Sequence, residues 1–287
     1  MFLLRPDDEM NNAFLYCVIE AALKFDIRLL LPQMMSNHDH IPFYDPKAQA
    51  VEFYHRFHTN LAKCVNALRG RWENMWSSEP PCLVAIEDFD ALIDKLVYTA
   101  TNPVKDGLVE KVHHWPGPAT TAALLNGRTL RARRPSFLFR DDGPMLEEVE
   151  LTLALPEELG DPEEILATLR RRISEVEEQC AAERAKHHRQ VIGRRRIKLQ
   201  SWRGTPTSHE PRRNLRPRVS ARSKWARIEA LQRKDGFETE YHEARAKWLA
   251  GEPVVFPAGT YWLRRFANVP VATAGAIPPL LRKHPLD

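Results

Sequence analysis

Two histidines one residue apart, His38 and His40, stand in the stretch MMSNHDHIPFYDP (34–46). In an extended chain successive side chains alternate faces, so both imidazoles are expected on one side. Some sixty residues later comes LVYTATNPVKDGLV (96–109), the end of a predicted helix that opens at Asp88. Its apolar stripe is Phe89, Leu92, Ile93, Leu96 and Ala100, at spacings of three and four. At about 100° per residue, Tyr98 projects nearly opposite that stripe, with Asn102 one turn further on the same face. Pro103 is expected to stop the helix there, because the residue before proline is pushed out of helical geometry.

These residue types suit one chemistry. Two imidazoles and an amide oxygen make a three-ligand set for a hard divalent cation, Mg²⁺ or Mn²⁺, with positions left for a phosphate. A tyrosine hydroxyl is a nucleophile such a phosphate would need. Attack leaves a phosphotyrosine and a free hydroxyl, so the bond energy is kept and a strand can be rejoined without ATP. Taken alone, the histidine pair also fits two partly buried imidazoles satisfied by hydrogen bonds, since the chain has 11 histidines. The remaining close histidines, His55 with His58, His113-His114 and His187-His188, have no acidic or cysteine partners at ligand spacing and read as surface or core residues.

The elements that must position these groups alternate in type. MFLLRP reads as a short strand, and 11–25 as a helix capped by Asn11. Residues 27–36 and 38–44 read as strands joined near Ser36-Asn37, followed by a helix over 47–68 and a buried strand over 82–86. With the helix opened by Asp88 the order is β-α-β-β-α-β plus one helix, an α+β, ferredoxin-like pattern with an antiparallel sheet. RARRPSFLFRDDGP (131–144) is loop-like, with RARRP a solvated basic loop, and EVELTLALP (148–156) is a strand candidate. Asp161-Pro162 opens a long helix with acids in its first turn and bases in its last. SKWARIEALQRK and ETEYHEARAKWLAG read as two amphipathic helices, and VVFPAGTYWLRRF as a hairpin or extended docking element.

The modest net charge of +4 hides a split. Residues 141–183 carry fourteen acids against three bases, whereas 184–227 carry fifteen Lys and Arg against the single acid Glu210. A basic block of that density marks a polyanion partner, most often nucleic acid, with a solvated surface tract as the plain alternative. Its candidate phosphate contacts are Arg194, Arg195, Arg196, Lys198, Arg203, Arg212, Arg213, Arg216 and Arg218. Trp202 and Trp225 lie among them, as base-stacking groups or as anchors for the tract. The preceding acids are a candidate holder of the tract when no DNA is bound. No run approaches the eighteen apolar residues of a membrane span, and the opening MFLLRPDDEM is too soon acidic for a secretory signal. Four scattered cysteines fit a reducing compartment, so a cytoplasmic protein is expected.

The order His-x-His, helix, strand, then Tyr-x-x-x-Asn-Pro-Val-x-x-Gly-Leu-Val resembles the single-tyrosine HUH transposases, closest to the REP-associated tyrosine transposases of bacteria. Ser36-Asn37-His38 matches the family's Ser-Asn or Pro-Asn before its histidines. Asn102-Pro103-Val104-Lys105-Asp106-Gly107-Leu108-Val109 is similar to its Asn-Pro-Val-Arg-Ala-Gly-Leu-Val. ALRGRWENMW (67–76) and Trp115-Pro116-Gly117 stand where the family has comparable segments. The resemblance covers roughly residues 1–117. It implies His38, His40 and Asn102 as ligands of Mg²⁺ or Mn²⁺, and Tyr98 as the nucleophile that forms a 5′-phosphotyrosine with single-stranded or hairpin DNA. The chain then divides into a catalytic domain (1–117), a linker with a short strand (118–160) and a helical, basic DNA-binding accessory region (161–287). It would act as a monomer or homodimer, nucleoid-associated when bound.

Three features depart from the family. Asp39 stands between the histidines where a bulky apolar residue is usual, and its charge is costly to bury unpaired. Pro42 restricts the second strand to an edge, a bulge or an early end. The first strand is short. These leave open a rival from another class, a captured transposase that binds hairpin nucleic acid and no longer cuts. A replication-initiator nickase shares the chemistry but usually carries a helicase domain, and no Gly-rich phosphate loop occurs here.

Overall fold

The computed structural model describes residues 1–77, 81–207, 217–273, 275 and 280. The chain is α+β, with far more helix than strand. Helix α1 (Asp8–Phe25) is capped by Asp7, whose carboxylate accepts from the Met10 N–H at 2.8 Å, with Asp8 and Glu9 in the first turn. Asn11, the expected cap, lies inside that turn, and its amide donates instead to the Pro116 carbonyl. Residues 2–4 form a turn where a strand was expected. The Leu4 N–H nevertheless bonds the Ser36 carbonyl, so the N-terminus still borders the histidine hairpin.

That hairpin comprises β1 (Arg28–Leu29), β2 (Gln33–Met34), β3 (Asp39–His40) and β4 (Phe43–Tyr44). β2 pairs antiparallel with β3 across a turn at Ser36-Asn37, as the sequence suggests, and β1 pairs antiparallel with β4. The register slips by one residue between the two ladders. Leu30 and Leu31 both direct their N–H groups at the single carbonyl of Pro42, at 3.0 and 3.4 Å. This is a β-bulge, and it resolves the alternatives Pro42 left open: proline donates nothing to a ladder, so the strand bends where two residues face one.

Helix α2 (Ala50–Arg69) starts later than expected, because the Asp45 carboxylate accepts from Lys47, Gln49 and Ala50 and holds 45–49 as a turn. Strand β5 (Ala85–Ile86) leads to Asp88, whose Oδ1 accepts from the Ala91 N–H at 2.7 Å and caps α3 (Phe89–Lys105). Pro103 does not end α3; the helix runs two residues past it. Proline here removes one hydrogen bond near the terminus, and burial of Asn102, Pro103 and Val104 outweighs that loss.

The segment expected as a linker is folded. Helix α4 (Thr120–Leu125) precedes a hairpin of β6 (Thr129–Arg133) and β7 (Glu148–Thr152) that packs on α1. RARRP therefore sits largely in a strand, where Leu130 and Ala132 face the core and Arg131 and Arg133 face solvent. Leu130, Ala132, Val149 and Leu153 belong to the same apolar cluster as Phe14, Phe53, Phe57 and Leu96. Helix α5 (Pro162–Lys186) has the expected Asp161 cap and packs along α3. Beyond it lie α6 (Arg194–Leu199), β8 (Val219–Ser220), α7 (Lys224–Leu249) and α8 (Trp262–Ala267).

Two expectations change in this region. The two predicted amphipathic helices are one, α7, which runs through Gly236 at a cost of about 1 kcal/mol. Lys234 and Glu238 pair across that point, one turn apart. Tyr261-Trp262 open a helix rather than a strand.

Among the described residues, the strands form four separate two-stranded pairs instead of a single antiparallel sheet. Competition for edges explains this. Strand β5 pairs parallel with β8 of the C-terminal region, and the outer edge of β2 is closed by the Trp115 indole, which donates to the Met34 carbonyl at 3.0 Å. Gly117 permits that closure, since a Cβ there would stand 2.2 Å from the Trp115 Nε1.

Candidate metal and nucleophile site

The β2–β3 turn and the last turns of α3 bring the four sequence candidates to one place. The rings of His38 and His40 lie with centroids 4.9 Å apart, on the same side of the hairpin. The His40 ring meets that of Tyr98 edge-on at 5.3 Å. Asn102 Nδ2 stands 3.2 Å from His40 Nε2, across a sequence separation of 62 residues. Tyr98 is 44% exposed, whereas Asn102, one turn further along the helix, is 3% exposed because the hairpin covers it. The nucleophile candidate is thus open to solvent, with the half-buried imidazoles and the buried Asn102 beside it.

Burial sets the charge state of the imidazoles. It pushes His38 below the ordinary histidine value, against the opposing pull of the Asp39 and Asp106 charges. Burial, with the neighbouring His38 charge, pushes His40 down to about 4. Both rings are therefore neutral near pH 7, the form in which a ring nitrogen offers a lone pair. His38 Nδ1 is engaged by Asn37 Oδ1 at 2.8 Å, which fixes its ring orientation.

Asn102 Oδ1 is buried and has no hydrogen-bond partner. An orphaned acceptor costs about 1–3 kcal/mol, and this one belongs to an amide whose nitrogen meets the His40 ring. As a ligand the amide would turn its oxygen toward the rings by a half-rotation. Among the described residues there is no group of three or more His, Cys, Asp or Glu at metal-ligand spacing. A metal held here would rest on the two imidazoles and the amide.

Sequence reasoning missed one member of the neighbourhood, Lys105, and one contact, between Asp39 and His58. Lys105 places its ammonium 5.3 Å from the centre of the Tyr98 ring, over its face. Its i+7 position relative to Tyr98 was the available signal. On the opposite face of the hairpin, Asp39 Oδ2 lies 3.9 Å from His58 Nε2, with the Asp39 side chain 9% exposed. The same carboxylate adds to burial in pushing the Tyr54 hydroxyl upward. Its charge is thus directed away from the imidazole pair and into the side of α2.

The basic tract divides. Arg194, Arg195 and Arg196 are exposed on α6, directly after Ile192 and Gly193, whose N–H groups bond the Gly107 and Leu108 carbonyls just beyond α3. Ile197 of the same helix is buried with Met35, Val104, Val109 and Trp115, between the hairpin and the end of α3. The helix that carries the three arginines is therefore fastened to the C-terminal end of α3. Arg203 is exposed and lies over the Trp202 ring at 4.9 Å, while Trp202 itself packs against the main core as an anchor. Lys198 pairs with Asp8 and Arg218 with Glu238. Arg222 pairs with Asp94. These partners lie outside the acidic segment 141–183 proposed to hold the tract. Arg212, Arg213 and Arg216 lie outside the described residues.

The same region braces the helix that carries Tyr98. Asp94 accepts from Arg172 of α5 at 2.7 Å and from Arg222 at 2.6 Å. Asp88, while capping α3 with one oxygen, accepts from the Arg222 and Ser223 N–H groups with the other.

Compared with protein-family models, with curated proteins and with solved structures, the chain gives no match.

Proposed function

We propose that the protein is a metal-dependent nickase and strand transferase acting on single-stranded or hairpin DNA, a DNA transposase of the HUH type. One observation carries the reading: His38, His40, Tyr98 and Asn102, drawn from two distant segments, meet at one point with the tyrosine exposed, the two imidazoles half-buried and Asn102 buried. The element order helix, hairpin, helix, strand, helix follows the expected HUH order apart from its first strand, while the described strands pair two by two and not in one sheet.

His38, His40 and Asn102 would hold the ion, Mg²⁺ or Mn²⁺. When bound, it supplies Lewis-acid polarisation of a phosphate and charge for the departing oxygen. Tyr98 Oη forms a bond to the scissile phosphorus as the bond from phosphorus to the 3′-oxygen breaks. This yields a 5′-phosphotyrosine and a 3′-hydroxyl, and attack by a second 3′-hydroxyl reverses the step. The Lys105 ammonium over the Tyr98 ring adds positive charge beside the position of the scissile phosphate. Arg194, Arg195 and Arg196 supply phosphate contacts next to the site, with Arg203 further along the strand. The hairpin target, the cytoplasmic location and association with the nucleoid follow from this reading. No helix among the described residues is long and apolar enough to cross a membrane.

The test is a denaturing gel of labelled hairpin DNA with Mn²⁺, for the wild type and Tyr98→Phe. A covalent protein–DNA band is expected in the wild type alone and is lost in chelator. The second reading is a hairpin-binding protein that does not cut. Salt-sensitive binding without any band, unchanged by chelator or by Tyr98→Phe, would establish that one instead.

A further inference from the structure

Helix α8 presents two large aromatic rings to solvent. Trp262 is 65% exposed and Phe266 63% exposed. They stand one turn apart on the same face, with centroids 4.6 Å apart and planes inclined by only 24°, already stacked on each other. Nothing in the nickase reading uses them.

The helix is held from below. Tyr261 is buried at its start, Arg264 pairs with Glu52 in the first turn of α2, and Asn268 closes the end in the left-handed conformation. Arg265 lies alongside the rings. Its guanidinium is 5.4 Å from the Phe266 ring centre and donates to the Tyr261 hydroxyl at 2.5 Å. Among the described residues no carboxylate lies within ion-pair distance of Arg265, which is exposed. The feature is an aromatic stack with an exposed guanidinium at its edge.

We propose that Trp262 and Phe266 form a stacking platform for unpaired bases of a single-stranded nucleic acid, with Arg265 meeting its phosphates. Every base has a π-face, and aromatic groups interleaved with cations are the means by which proteins hold single strands without reading sequence. Area argues against a protein partner here. Two rings exposed to this extent offer roughly 300 Å² at most, well short of the roughly 800 Å² per partner of a stable protein interface. The proposal rests on the nickase reading only for the source of the single strand. Its test reads binding, not cleavage.

The experiment measures equilibrium binding of labelled oligo-dT and oligo-rU of about a dozen nucleotides, and of a duplex, all in chelator. The proteins are the full-length wild type, Trp262→Ala, Phe266→Ala, Trp262→Phe and Trp262→Leu, each checked for an unchanged melting midpoint. Both alanine variants are expected to bind single strands about 5- to 100-fold more weakly, with little change for the duplex. Trp262→Phe keeps a π-face and retains most of the affinity, whereas Trp262→Leu behaves like the alanine variant. Preference for dT or for rU identifies the strand as DNA or RNA. The tryptophan fluorescence quenched by oligo-dT should be absent from Trp262→Phe. Wild-type affinity in both alanine variants, or full recovery with leucine, overturns the proposal. So does self-association abolished by Trp262→Ala while strand binding persists. A covalent adduct at Tyr98 with no effect of Trp262→Ala would sink the platform and leave the nickase standing. Ring-dependent binding with no adduct would do the reverse.

Discussion

Asp39 points away from the histidines on either side of it and lies 3.9 Å from His58, on the face of the hairpin that meets α2. That distance is too long for a hydrogen bond, and His58 Nε2 has no other partner. The carboxylate is thus nearly buried without a strong contact. Replacing an ill-paired buried charge by an apolar side chain is often neutral or stabilising. Asp39→Val is expected to raise the unfolding midpoint by a few degrees, equivalent to about 1 kcal/mol, as read by a thermal melt. The Tyr98 adduct should persist in this variant, because Asp39 faces away from the site. A fall in the midpoint would show the His58 contact to be a working ion pair.

Asn102 presents the opposite case, a polar group whose removal should help the fold and harm the site. Its orphaned Oδ1 is a standing cost, so Asn102→Leu is expected to leave stability unchanged or raise it by about 1 kcal/mol. Mn²⁺ should raise the melting midpoint of the wild type and have little effect on that of Asn102→Leu, since a ligand stabilises only the state that binds it. Differential scanning fluorimetry with and without Mn²⁺ separates the two effects. Equal Mn²⁺ shifts in both proteins would remove Asn102 from the ligand set.

The clamp on α3 carries a pH dependence of its own. Burial pushes the Asp94 carboxyl up, but hydrogen bonds from Arg222 and Arg172 outweigh it and hold the group below its ordinary value of 3.8. A carboxylate with a depressed folded value contributes stability that is fully present above 3.8 and is lost as pH falls through the folded value. Asp94→Asn is therefore expected to cost about 1 kcal/mol at pH 7, the scale of two partly exposed pairs. The gap between wild type and variant in urea unfolding should close below pH 3.8. A gap that stays constant down to pH 3 would show that Asp94 acts through shape alone.

Arg194, Arg195 and Arg196 are predicted to act as sequence-independent phosphate contacts. Changing all three to Gln should weaken single-strand binding and reduce the slope of log affinity against log salt by about 2, at roughly 0.7 per phosphate. Tyr98→Phe should leave that slope untouched. Binding titrations at several salt concentrations give the answer, and an unchanged slope would place the strand elsewhere on the protein.

The sequence by itself determined the local events. The Asp88 and Asp161 caps, the Ser36-Asn37 turn and the outward aim of Tyr98 opposite an apolar stripe all depend on neighbours within one or two turns. The shared face of His38 and His40 is set by strand alternation in the same way. Local periodicity and side-chain chemistry suffice for each of these. Where tertiary burial competed with a local signal, burial won: α3 passes Pro103, α7 passes Gly236, and α8 forms where β-prone aromatics suggested a strand.

Only the tertiary structure decided how distant segments pair. Strand β5 turned to β8, the hairpin took a bulge with Trp115 against its edge, and Asn102 met His40 across 62 residues. It also decided which cations are spent on acids, as Arg222 is, and which lie against aromatic rings, as Arg265 does. Edges and charges take partners by proximity in space, and the partners available to each are fixed only when the whole chain has packed.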